Sequence, residues 1–318
     1  MSARPQQSLA NPDHTSRQRV EPQLRDLMSL YRPASLLPSW ARSIRANQSG
    51  AYLSAMKGRG MEYDESRPYQ AGDDIRTLDW RVTARTGKPH TKVFREERER
   101  PVHICCDFSP SMFFATQGVF KSVVAARAAA LIAWKAQQSG DRVGGLVFSA
   151  ATHTELPPER GKPGVIRLLK SLVESGRLQE TLNPPESLGV LGKAISRLTR
   201  IVNPGSLIFL LSDFREFDNT NGSDLANLAR HNDVTCFFIN DPFEAAIPSA
   251  NAKGRVTNGR SDIEIAFSDR SSNKSYAENF DARYEQVEKL ARENRIHFGR
   301  LATNEEPLPV LQRVLGLY

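Results

Sequence analysis

Asp107, Ser109 and Ser111 stand at alternate positions in Asp107-Phe-Ser-Pro-Ser111, directly after the short apolar run Val102 to Cys106. Side chains of an extended backbone alternate sides, so one carboxylate and two hydroxyls would face one volume. Pro110 biases Ser109 toward that extended conformation. Oxygen donors of this kind suit a hard divalent cation. Magnesium or manganese makes do with one or two carboxylates, waters and a group supplied by a partner. A second apolar run, Ser206 to Ser212, ends in Asp213 in the same way. Two acids in one crevice without a cation would repel and raise a pKa, and a metal removes that conflict.

Other chemistry for these residues fits less well. Asp and Ser favour helix caps and turns, the plain structural reading of 107–111, but capping has no use for Asp213. An aspartate that accepts a phosphoryl group wants a second acid two residues on, where this chain has Ser109. Neither serine lies in a G-x-S-x-G elbow or has an evident histidine partner, and His103 falls within the strand run. A metal-dependent nuclease or phosphoesterase in the same acidic crevice stays open as the alternative, although such enzymes normally use three or four acids.

The elements that must position these residues follow from pattern. Val102 to Cys106 and Ser206 to Ser212 read as strands buried on both faces, which implies a mostly parallel sheet. Ligands of doubly wound sheets bind beyond the carboxyl ends of the strands, where strand order reverses. If these are the first and fourth strands, they are neighbours there. Between and after them the pattern predicts helices over Val119 to Gln138, Gly164 to Ser175, Ser187 to Ile201, 223–231, Tyr276 to Asn294 and Pro309 to Leu317. Strands are expected at Asp141 to Phe148, His153 to Leu156, Val234 to Ile239 and His297 to Leu301, and Asn258-Gly259 signals a two-residue hairpin. The alternation indicates an α/β three-layer sandwich with a doubly wound, mostly parallel sheet.

At this point the chain resembles a known family. Asp107-Phe-Ser109-Pro-Ser111 with the distant Asp213 is similar to the metal-ion-dependent adhesion site of von Willebrand factor A domains. The stretch from Gly58 to Arg85, with Arg67-Pro-Tyr69, Gly72-Asp73-Asp74, Arg76, Asp79-Trp80-Arg81 and Arg85, closely resembles the signature of the domain of unknown function 58 family. The resemblance covers roughly residues 45 to 245 and implies a von Willebrand factor A-like fold. It further implies a binding module rather than an enzyme: magnesium or manganese held by Asp107, Ser109, Ser111 and Asp213, with an open position for an acidic residue of another protein. A loop threonine usually joins such sites, and Thr181 is nearest by position, with Ser187 or water as substitutes. Relatives are commonly associated with MoxR-type AAA+ ATPases, which implies an adaptor or co-chaperone acting on an unknown client. Within the signature, Arg67, Asp73, Asp74, Arg76, Asp79, Trp80 and Arg85 form either interlocked carboxylate–guanidinium pairs around Trp80 or a recognition surface.

Composition bounds the rest. The 318 residues, 39% hydrophobic and 25% charged, suit a globular protein. No apolar run approaches membrane-span length and no signal-peptide core opens the chain, so a cytoplasmic protein is expected. Cys105, Cys106 and Cys236 lie in apolar runs and read as buried, reduced thiols. The net charge of +7 is concentrated toward the front, which could touch acidic partners, RNA or an anionic membrane surface and suits a solvated, partner-facing role better than specific nucleic-acid binding. Three regions are expected: a basic, partly disordered segment over 1–48 with short helices at Val20 to Tyr31, stopped by Pro33, and at Pro38 to Ala46; the signature segment over 49–100 packed on the core; and the main domain over 101–318.

Overall fold

In the computed structural model of the chain, residues 17–40, 61–70, 73–96, 99–177, 189–245, 253–257, 262–266 and 270–316 are described. Contacts divide the chain into two compact units, Met1–Trp40 with Arg100–Tyr318, and Ala41–Glu99.

Near the start of the described residues, 17–20 are helical and two short helices follow, α1 (Leu24–Ser29) and α2 (Tyr31–Ala34). Pro33 lies inside α2 rather than ending the first helix, because a proline in the first turn has no helical N–H to forfeit. Of the expected second helix, the part beyond Trp40 lies outside the described residues. Leu27, Ala34, Leu37 and Trp40 are buried. The Trp134 indole donates to the Leu27 carbonyl at 3.0 Å and the Trp40 indole to Asp141 at 3.0 Å, so this segment is part of the main unit's core.

The smaller unit pairs β1 (Met61–Pro68) with β2 (His90–Glu96) in an antiparallel ladder, with α3 (Trp80–Thr86) between them in sequence. Neither β1 nor α3 is legible from periodicity, since Met-Glu-Tyr-Asp-Glu-Ser-Arg-Pro alternates no apolar face.

The main unit then runs β3 (Pro101–Asp107), α4 (Lys121–Gln138), β4 (Arg142–Phe148), β5 (His153–Arg160), α5 (Lys162–Ser175), α6 (Val190–Ile201), β6 (Leu207–Ser212), α7 (Asn219–Ala229), β7 (Asp233–Asn240), α8 (Pro242–Ala245), β8 (Lys253–Thr257), β9 (Asp262–Ala266), α9 (Arg270–Glu293), β10 (His297–Ala302) and α10 (Pro307–Leu315). Its six-stranded sheet has the order β10-β7-β6-β3-β4-β5, all parallel except the edge strand β5. In chain order the first and fourth of these strands, β3 and β6, are neighbours, and the switch point of the sheet falls between them. β3 and β6 are buried apart from Pro101, as continuous apolar runs in a covered parallel sheet must be.

Helices cover both faces. One core packs α4, α5, α10 and the N-terminal segment against Val102, Ile104, Phe209 and Leu211, and the other packs α6, α7 and α9 against Cys105, Ile208 and Leu210. The fold is a mixed α/β sandwich of three layers. β5 runs past the expected Leu156 to Arg160 because Pro157 and Pro158 sit where the register shifts on an edge strand, the one place a sheet tolerates them. α7 starts earlier than expected because the Asp218 side chain accepts the Asn221 N–H at 2.8 Å. The hairpin also differs, since Thr257 opposite Asp262 leaves four residues between β8 and β9 rather than two. The three cysteines are buried and unbridged, and burial pushes their thiols up.

Candidate metal centre at the switch point

β3 delivers Asp107 to the carboxyl end of the sheet, and β6 delivers Ser212 and then Asp213 to the same end. Cys106 pairs with Leu211, so Asp107 lies beside Ser212 and Asp213 is one step beyond. The Ser212 hydroxyl donates to Asp107 Oδ2 at 2.6 Å, and the Ser109 N–H donates to Asp107 Oδ1 at 2.7 Å. Ser109 is extended, as Pro110 requires, but the extended path stops there. Residues Pro110–Met112 form a 3-10 turn that swings Ser111 toward Asp213, so the two hydroxyls divide between the two acids.

Both carboxylates are buried, at 3% exposure for Asp107 and 2% for Asp213. Burial, then the neighbouring Asp213 charge, push Asp107 up to about 6, although Ser109 and Ser212 work the other way. Asp213 moves in the opposite direction. Burial would raise it too, but the Lys121 ammonium at 2.8 Å from Oδ2 outweighs burial and holds Asp213 below the usual carboxylate range. Beyond Asp213 the chain turns sharply through Phe214, whose φ of 51° is left-handed. Its ring stacks on Phe238 at 5.9 Å and its N–H donates to Ser212 Oγ at 3.0 Å, contacts that hold an unfavourable backbone in place.

Sequence reading missed four polar residues at this end of the sheet: Lys121, Ser212, Asp241 and Glu244. Lys121 is fully buried at the first position of α4 and also reaches Glu244 Oε1 at 2.7 Å, while Glu244 Oε2 accepts the Asp241 N–H at 2.9 Å. Asp241, just past β7, accepts from Thr116 Oγ1 at 2.5 Å, the Thr116 N–H at 2.8 Å and Thr303 Oγ1 at 2.6 Å. These bonds tie the loop after β3 to the ends of β7 and β10. The only local signal was an acid just after a third apolar strand, Asn240-Asp241.

Thr181 and Ser187 lie outside the described residues. The signature residues divide by role. Arg67 pairs with Asp73 at 2.7 Å, but Asp74 caps a 3-10 turn by accepting the Arg76 N–H at 2.9 Å. Asp79 is buried and accepts the Arg81 and Val82 N–H groups and the Ser66 hydroxyl, which hold its carboxyl below the usual range. Trp80 is 68% exposed, so the expected web of ion pairs around it is replaced by caps that fix α3 and leave the indole outside. Arg76 and Arg85 are exposed as well.

A family model described as "Protein of unknown function DUF58" matches residues 65–287. The chain belongs to this DUF58 family. Uncharacterized proteins from Mycobacterium tuberculosis and Mycobacterium bovis are each 32% identical over 199 residues, covering 63% of this chain and 61% of theirs. The match therefore spans less than two thirds of those relatives. Among solved structures, an aerotolerance-related membrane protein from Bacteroides fragilis is similar over 69% of this chain and 100% of its own, at 18% identity and TM-score 0.43. The PilB minor pilin of Streptococcus sanguinis is similar over 73% of this chain and 64% of its own, at 11% identity and TM-score 0.36. Among the described residues of this DUF58 protein, no helix is long and apolar enough to cross a membrane.

Proposed function

We propose that this DUF58 protein is a non-catalytic, divalent-metal-dependent protein-binding module of the von Willebrand factor A type. It would act in the cytoplasm as an adaptor or co-chaperone with a MoxR-type AAA+ ATPase in the maturation or remodelling of other protein complexes. One observation carries this reading: two carboxylates from neighbouring strands, each bonded to a serine of the Asp107-to-Ser111 turn, meet at the switch point of the sheet. The donors fit magnesium or manganese. They are hard oxygens, and Asp107 is raised first by burial and then by the neighbouring Asp213 charge, both of which a bound cation would offset. Asp107, Ser109, Ser111 and Asp213 would hold the ion, whose role is to present an open coordination position to a partner's carboxylate. The alternative, a metal-dependent hydrolase, would draw on the same crevice, where Asp241 and Glu244 also stand.

Calorimetric titration with magnesium and manganese tests the site. Asp107→Ala and Asp213→Ala are each expected to weaken binding at least tenfold while the fold survives, in line with the loss of a charged ligand. Binding unchanged in both variants would refute the site. Co-purification with a MoxR-type ATPase, lost in Asp107→Ala, tests the adaptor role, and turnover of generic phosphoesters would favour the hydrolase.

A further inference from the structure

We propose that Lys121 is a tethered cation that competes with the metal for Asp213 and so weakens metal binding. The inference rests on the metal reading above and names the residue that tunes it. Lys121 has 0% exposure, and its ammonium lies 2.8 Å from Asp213 Oδ2 and 2.7 Å from Glu244 Oε1. Glu244 is itself anchored by the Asp241 N–H, so the ammonium has a fixed seat between two acids. The other Asp213 oxygen accepts the Arg215 N–H at 3.1 Å. Asp107, in contrast, has hydroxyl and N–H partners and no cation bonded to it among the described residues.

An ion arriving at Asp107, Ser109 and Ser111 therefore meets one uncompensated carboxylate and one that already has a counter-charge. Two like charges share Asp213 in a site with little water, where their repulsion is weakly screened. The metal alone is then held loosely.

Lys121→Met removes the charge while keeping a long apolar side chain in the buried slot. It is expected to bind magnesium about tenfold more tightly in a calorimetric titration, and to gain more in Tm from added magnesium than the wild type does. Glu244→Gln has the opposite sign. With one anchor neutralised, the ammonium falls wholly on Asp213, and magnesium binding is expected to weaken several-fold. Wild-type binding with a tighter Lys121→Met supports both proposals. Wild-type binding with Lys121→Met equal or weaker overturns the competition and leaves the metal site standing. Binding only in Lys121→Met supports the tethered cation and overturns the metal-dependent function of the native chain. Absence of binding in every folded variant overturns both. Should Lys121→Met fail to fold, Glu244→Gln decides alone, and equal or tighter binding there overturns the competition.

Discussion

His103 shows how burial turns one side chain into a pH-dependent element of stability. It sits in β3 at 2% exposure with no hydrogen-bond partner for Nδ1 among the described residues, and burial followed by the Arg142 charge lowers its pKa from 6.5 to about 4. The unfolded chain takes up a proton from about pH 6.5 downward, while the folded one resists until about pH 4. The stability contributed by the neutral ring is therefore complete above pH 6.5 and is lost as pH falls toward 4, by at most roughly 3 kcal/mol. Asp107 works in the opposite sense. Its raised pKa means that ionisation in the fold is disfavoured, so its contribution falls as pH rises toward 6. His103→Gln separates the two. Urea denaturation at pH 7 and pH 4.5 is expected to find that the variant loses less stability on acidification than the wild type, and equal losses would defeat the account.

The loop between β3 and α4 is the element on which the site depends. Gly118 has φ of 73°, and a Cβ there would lie 2.1 Å from the Thr303 carbonyl oxygen, which accepts the Val119 N–H at 3.3 Å. Only glycine meets both demands. Gly118→Ala is expected to destabilise the protein by about 3 kcal/mol, from left-handed strain plus backbone displacement, as read from the urea midpoint. The change would also pull on Thr116 and hence on Asp241, so magnesium affinity should fall although no ligand is altered.

On the scale of the whole molecule, the N-terminal segment belongs to the main unit's core. Trp40 is 2% exposed, lies 5.8 Å from Phe209 between ring centres and bonds to buried Asp141, while Leu27 caps the Trp134 indole. Removing residues 1–40 would uncover α4 and leave the Trp134 indole N–H and Asp141 without those partners. Truncation is expected to lower Tm by well over 10 °C or to abolish soluble expression, since losing a buried tryptophan alone is worth about 3–5 kcal/mol. A truncated chain with an unchanged melting curve would contradict this.

What the sequence by itself determined is what depends on near neighbours along the chain. Buried apolar runs ending in Asp107 and Asp213 read as parallel strands that place acids at a sheet edge, and Ser109 and Ser111 follow by spacing. Family membership was also legible in the Gly58-to-Arg85 signature. Tertiary structure decided the rest because it depends on distant partners. Lys121 begins a helix and would pass for a solvated lysine until Asp213 and Glu244, from other strands' ends, close around it. Strand β1 pairs with β2 across a ladder whose partner lies some thirty residues on, and Asp74 and Asp79 act as caps by accepting backbone N–H groups. A charge in a sequence has no address, and burial among partners is what fixes the proton or ion it will hold.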